Sequence, residues 1–138
     1  MKAARPDPET SARMARIRQR GTKIETIVAT MLRDLGAHYR KNVKKLPGSP
    51  DFANRSKRWA VFVNGCFWHH HKGCLKATIP KSNRNFWIAK FRDNRRRDAR
   101  CVTRLRREGY RVIIIWECQE NRIRDKLAKI LEPRSVDT

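Results

Sequence analysis

The sequence predicts a single α/β domain. Amphipathic stretches with apolar residues every three or four places alternate with short apolar runs rich in β-branched residues. The first pattern marks helices packed on a core, and the second marks strands buried within one. A chain of 138 residues is long enough to enclose one such core. We divide it into a basic N-terminal arm, residues 1–21, and one domain over residues 22–138, with no internal repeat and no low-complexity linker.

The arm is rich in Arg, Ala, Pro and Ser, and its apolar residues Met14 and Ile17 share a helical face flanked by Arg13, Arg16, Arg18 and Arg20. Spacing favours packing back onto the domain. Wedging of Met14 and Ile17 against DNA bases, with the arginines on phosphates, is the alternative.

Thr22 to Leu35 is a helix, because Ile24, Ile27, Val28, Met31, Leu32 and Leu35 recur at helical spacing and Gly36 follows. Thr22 and Glu25 form a capping box at its start, a sufficient role for Glu25. Ala37 to Val43 reads as a short strand and Leu46 to Pro50 as a rigid turn that delivers Asp51 and Phe52. Trp59 to Val63 is a central strand. If it pairs with the strand beginning near Asp51, that carboxylate lies near the backbone of Val63 and Asn64.

Leu75 to Asn85 is a loop, after which Asn83 or Asn85 caps a long helix running to about Arg107, with Gly109 as its stop. Phe91, Val102 and Leu105, with Ala99 nearby, supply its buried stripe, while Arg92, Arg96, Arg100, Arg104 and Arg107 share another face. Tyr110 to Trp116 is a buried strand. A last amphipathic helix runs from about Gln119 to Leu131, before Pro133.

The charge balance narrows the function. There are 34 Lys and Arg against 13 Asp and Glu, a formal net charge of +21. Basic residues recur beside aromatic ones along the whole chain, which favours a nucleic-acid partner over a merely solvated basic surface. No long apolar span points to a membrane, and no apolar leader begins the chain, so a reducing cytoplasm is the expected compartment. Cysteines there serve as metal ligands or free thiols more often than as disulfides.

Chemistry concentrates between Gly65 and Cys74, GCFWHHHKGC. Cys66, His71 and Cys74 have metal-ligand spacing, and Cys118, at the end of a buried strand, completes a closed Cys3His set suited to structural zinc. Cys101, mid-helix, reads as an ordinary thiol. Of the two remaining histidines, His69 and His70, one can face an active site and the other solvent. Asp51 offers hard oxygen to Mg²⁺, and a neutral His69 can activate water for phosphodiester hydrolysis. Phe67 with Trp68, and Phe86 with Trp87, are either core or a rigid wedge for unstacking bases.

Taken in order, Met14 with Ile17, the Thr22 to Glu25 helix start, Leu46-Pro47-Gly48, Pro50-Asp51-Phe52, GCFWHHHKGC, Phe86-Trp87 with Lys90, Asn94, Arg97-Asp98 and Val112 to Cys118 form a series. This series resembles the very-short-patch-repair (Vsr) mismatch endonucleases over nearly the whole chain. The resemblance implies a restriction-endonuclease-like fold of PD-(D/E)XK type, with a central mixed sheet flanked by helices and one structural zinc. It also implies Mg²⁺-dependent nicking of duplex DNA, 5′ of the mismatched T in a T·G pair left by deamination of 5-methylcytosine.

Carried over by position, Asp51 binds Mg²⁺, His69 is the general base, and Glu25 acts through water in the metal shell. Cys66, His71, Cys74 and Cys118 hold zinc. Phe67, Trp68 and Trp87 intercalate from one groove, Met14 and Ile17 from the other, and Lys90 and Asn94 contact the mismatched bases. A monomer on DNA is the expected working form.

The chain departs from the family pattern at Asn64, where a second active-site histidine is expected. An amide exchanges no proton near neutral pH but can orient water or hydrogen-bond a phosphate oxygen. Val63 offers the metal only its backbone carbonyl, and the Glu-x-Lys of the wider nuclease fold is absent. Two competing readings follow: a zinc-stapled mismatch-binding module with weak or no catalysis, and a restriction-type nuclease that cuts matched DNA.

Overall fold

Residues 22–133 are described by the structure, a computed structural model. The arm carrying Met14 and Ile17 lies outside them. Helix α1 spans Lys23–Asp34, and the Oγ1 of Thr22 accepts the Glu25 N–H at 3.3 Å, so the Thr22 half of the expected capping box is in place. It buries Ile24, Val28, Ala29 and Leu32. Four strands follow: β1, Arg40–Lys41; β2, Phe52–Asn54; β3, Trp59–Asn64; and β4, Arg111–Trp116. Between β3 and β4 runs the long helix α2, Arg84–Arg107; after β4 come a 3-10 segment, Glu117–Arg122, and helix α3, Ile123–Leu131.

The sheet is mixed and ordered β1-β2-β3-β4. The first three strands are antiparallel, while β3 and β4 are parallel because α2 carries the chain back between them. Strand alternation then sorts β3 onto two faces. Trp59, Val61 and Val63 join α1 and α3 in one core, with Phe52, Ile115, Ile123 and Leu127. Ala60 joins Val102 and Leu105 of α2 in the other, with Leu46, Ala53 and Val112. Asn64 has the same strand parity as Ala60 and is directed to the α2 side; it is a buried polar residue at 4% exposure.

Several expected elements are revised. The strand expected over Ala37 to Val43 is regular only at Arg40 and Lys41, because Asn42, at φ 48°, leaves the extended path, although its N–H and that of Val43 still donate across to the Asp51 and Pro50 carbonyls. Strand β4 is half-buried because it is the last strand of the sheet, which leaves Ile113 and Ile114 only partly covered. Asn83 precedes α2 in a left-handed conformation, φ 54°, and its side chain makes no capping hydrogen bond. Ala99 is exposed, outside the buried stripe of Trp87, Phe91, Val102 and Leu105. The last helix begins at Ile123 because Gln119, at φ −114°, breaks the helical path.

Helix α2 ends as expected at Gly109, φ 89°. The Gly109 N–H donates to the Arg106 carbonyl and the Tyr110 N–H to the Leu105 carbonyl, both at 3.0 Å, which satisfies the last turn and starts β4. The five arginines of its outer face are exposed. Among the described residues, no helix is long and apolar enough to cross a membrane.

Candidate active site and metal centre

The site lies where β3 and β4 end side by side. Asp51 immediately precedes β2, which pairs with β3, so its carboxylate reaches the middle strand: the Val63 N–H donates to Asp51 Oδ2 at 2.7 Å. A cleft of about 320 Å³ opens there, walled by Asp51, Val63, Asn64, His69, Arg97 and Asp98, with Gly48 and Cys101 behind them. Sequence reasoning placed Asp51, Val63, Asn64 and His69 together, and the fold does so. Glu25 is not among the residues lining the cleft, although its Oε1 is buried.

His69 Nδ1 lies 2.6 Å from Asp98 Oδ2, with both side chains about one-quarter exposed, at 28% and 26%. In a neutral ring this contact places the proton on Nδ1 and leaves Nε2 as a proton acceptor. Asp98 was given no role from sequence. A signal was present: Phe91, Asp98 and Leu105 are seven residues apart, so an acid occupies the inner face of an arginine-rich helix.

His70 does not face solvent as expected of one of the pair. Its positive φ, 47°, turns the ring inward, where it stacks on Phe91 at 4.4 Å and 7°. Burial, reinforced by Arg95, lowers its pKa.

The turn holding Asp51 depends on Gly48, φ 77°. A Cβ there would stand 2.9 Å from the Cys101 Cβ and 3.1 Å from Phe62 Cε1, so the loop docks flush against α2 and β3. Gly48→Ala therefore adds left-handed strain to a clash with groups anchored in helix and strand. The expected loss is about 2–4 kcal/mol of stability, read by urea denaturation.

Four potential metal ligands converge at the neighbouring edge. Asn64 and Trp116 are partners in the parallel register, so Cys66 and Cys118 leave their strands two residues later, side by side. Backbone turns then bring the remaining two back: His71 N–H donates to the Cys66 carbonyl at 2.9 Å, and Cys74 N–H to the His71 carbonyl at 3.2 Å. The ligand atoms of Cys66, His71, Cys74 and Cys118 all lie within 4.8 Å of one another. His71 Nδ1 is 3.7 Å from Cys66 Sγ and 3.4 Å from Cys118 Sγ. Those separations match the roughly 3.5 Å edge expected between sulfur and nitrogen on a tetrahedral ion with ordinary metal–sulfur and metal–nitrogen bonds.

The surroundings hold these ligands in place. His71 stacks on Trp116 at 4.0 Å, and Glu117 Oε1 accepts the Cys66 N–H at 3.1 Å. Burial, then Lys126, lowers the His71 pKa and favours the neutral, ligating ring. Without an ion, burial pushes the Cys66 thiol up to about 12, while the Lys76 backbone amide lowers that of Cys74. An ion with three thiolates and one imidazole carries excess negative charge. Lys126 sits within electrostatic reach of Cys118, anchored by donation to the Ile114 carbonyl at 2.7 Å.

Beside the metal loop, Phe67, Trp87 and Phe91 form a third apolar cluster, with Trp68, Ile79 and Phe86 packed on its margin. Phe67 and Trp87 are buried here, at 7% and 4% exposure, while Trp68 is only partly covered. The Trp68 carbonyl accepts Asn94 Nδ2 at 3.1 Å, which ties the loop to α2. Lys90 is exposed one turn earlier.

The chain is similar to known proteins over most of its length. Residues 5–76 match the family model described as DNA mismatch endonuclease Vsr. The type II nicking enzyme V.XorIIP of Xanthomonas oryzae is 38% identical over 123 residues, covering 87% of this chain and 90% of that protein. The type II nicking enzyme V.NmeAIP of Neisseria meningitidis is 42% identical over 106 residues, or 77% of this chain and 75% of its own length. The DNA mismatch endonuclease Vsr of Escherichia coli is 41% identical over 108 residues, 78% of this chain and 69% of that protein.

Proposed function

On the premise that this chain belongs to the Vsr family and is a strand-specific DNA mismatch endonuclease, we propose that it nicks duplex DNA on the 5′ side of the mismatched T in a T·G pair, using Mg²⁺. The observation that carries the reading is the meeting of Asp51, the Val63 backbone and the His69–Asp98 pair in one cleft. It supports the PD-(D/E)XK type of nuclease fold, whose first acid precedes a strand as Asp51 does.

The donor set fits a hard cation. Asp51 offers carboxylate oxygen, and the Val63 carbonyl faces the same side of β3 as the N–H that binds Asp51, because both groups of a strand residue point one way. Bound there, Mg²⁺ supplies positive charge to the phosphate and the leaving oxygen.

The chain's own groups do the rest. Nε2 of His69 takes a proton from water as its oxygen bonds to phosphorus, and Asp98 stabilises the imidazolium formed. The phosphorus bond to the departing sugar oxygen breaks, and that oxygen takes a proton from solvent. The Asn64 amide hydrogen-bonds a phosphate oxygen, and Glu25 contributes only through bridging water.

Zinc in the Cys66, His71, Cys74 and Cys118 set holds the loop rigid. Lys90 and Asn94 contact the mismatched bases. Phe67, Trp68 and Trp87 insert beside them, with Met14 and Ile17 opposite. The aromatic cluster is separate from both sheet cores, so it can rearrange on DNA without disturbing them. The protein acts as a monomer on DNA in the cytoplasm.

A labelled T·G duplex incubated with Mg²⁺ is expected to show one nick, in the T strand, absent from the matched duplex and abolished by chelation. Tight mismatch binding with no nick, or breaks in both strands of matched DNA, would overturn the proposal.

A further inference from the structure

Hydrolysis of a phosphodiester places extra negative charge on phosphate oxygens in the transition state, and a nearby fixed cation lowers the barrier. The middle strand β3 carries neither Lys nor Arg. Among the described residues, the cleft wall contains one cationic side chain, that of Arg97. The other arginines of the same helical stretch, Arg95, Arg96 and Arg100, are exposed and stand outside that wall.

Arg97 is also steadied. Its Nη2 donates to Asn94 Oδ1 at 3.4 Å, and Asn94 is itself tied to the Trp68 carbonyl at 3.1 Å. The next residue, Asp98, holds His69. One helical turn thus presents a guanidinium fork and the carboxylate partner of His69 together.

We propose that Arg97 is a catalytic residue whose guanidinium binds the scissile phosphate and offsets the charge it gains in the transition state. Guanidinium suits this task because its planar fork pairs two donors with two phosphate oxygens. The inference rests on the reading that this cleft hydrolyses DNA.

The test is single-turnover nicking of a T·G duplex with Mg²⁺ and saturating protein. Wild type, Arg97→Ala, Arg97→Gln, Arg97→Lys and Asp51→Asn are compared, and affinity is measured separately by fluorescence anisotropy with Ca²⁺ replacing Mg²⁺. Both neutral Arg97 variants are expected to lose about 100-fold in rate at saturation, with affinity changed no more than about threefold. Arg97→Lys recovers part of the rate, and added guanidinium ion restores Arg97→Ala but not Asp51→Asn.

Nicking by Arg97→Ala and Arg97→Gln within about threefold of wild type, or a defect that disappears at saturating protein, would overturn the inference. Arg97 is exposed, so unchanged melting curves are expected for all of its variants. Wild type and Asp51→Asn separate the two levels of argument. If wild type itself does not nick, the hydrolytic reading fails. If wild type nicks, Asp51→Asn does not, and Arg97→Ala matches wild type, only the arginine assignment fails.

Discussion

Asp51→Asn is expected to keep the fold and lose at least about 1,000-fold in single-turnover nicking rate, since a metal-bound phosphate draws several kcal/mol from its cation. The carboxylate has two jobs that this substitution separates. One is structural: Oδ2 accepts the Val63 N–H at 2.7 Å, and the carbonyl oxygen of Asn can do the same. The other requires negative charge, which Asn lacks. Asp51→Ala removes both, leaving the Val63 N–H without its acceptor at a cost of about 1–3 kcal/mol. Denaturant titration should therefore place Asn near wild type and Ala below it, while both are silent in the nicking assay. Near wild-type nicking by Asp51→Asn would remove this residue from the metal site.

Cys118→Ser should reduce bound zinc from about one ion per chain to near none, measured by a metallochromic dye after unfolding, and should abolish nicking. Zinc bound to small Cys/His sites is worth about 10–16 kcal/mol in isolation, comparable with the whole stability of a domain. Here the loss should be local. Neither sheet core contains a member of the metal set, so the far-ultraviolet dichroism of the sheet and α1 should largely persist. The loop carrying His69 and Phe67 loses its anchor. Cys101→Ser is the control, because Cys101 lies outside the cluster and should keep its zinc.

Legibility in the sequence followed the locality of each signal. Helix α1 announced its Thr22 cap, its period and its Gly36 stop within fifteen residues, and all three are present. Asp51 beside Val63 was legible because a turn followed by an apolar strand leaves few ways to pair. Three members of the Cys/His cluster lay within one loop, and the fourth followed once two strand ends were placed together. Asp98 was harder to see, since its significance comes from a histidine on another element. Phe67 and Trp87 were undecidable for the same reason: whether an aromatic residue is covered depends on what arrives over it. The 3-10 segment was missed because an amphipathic pattern marks the helix at Ile123 but carries no sign of the kink at Gln119.

The parallel register of β3 and β4 has a consequence for the order of events during synthesis. Cys66, His71 and Cys74 emerge early, but Cys118 reaches them only after α2 has formed its crossover and β4 has docked. The three early ligands alone leave an open coordination position. A metal held by all four would therefore close a long loop, a constraint felt mainly by the unfolded chain. His69 lies inside that loop, so on the proposed reading a chain whose β4 has not docked would carry Asp51 and His69 without a rigid site, and cutting competence would arrive last.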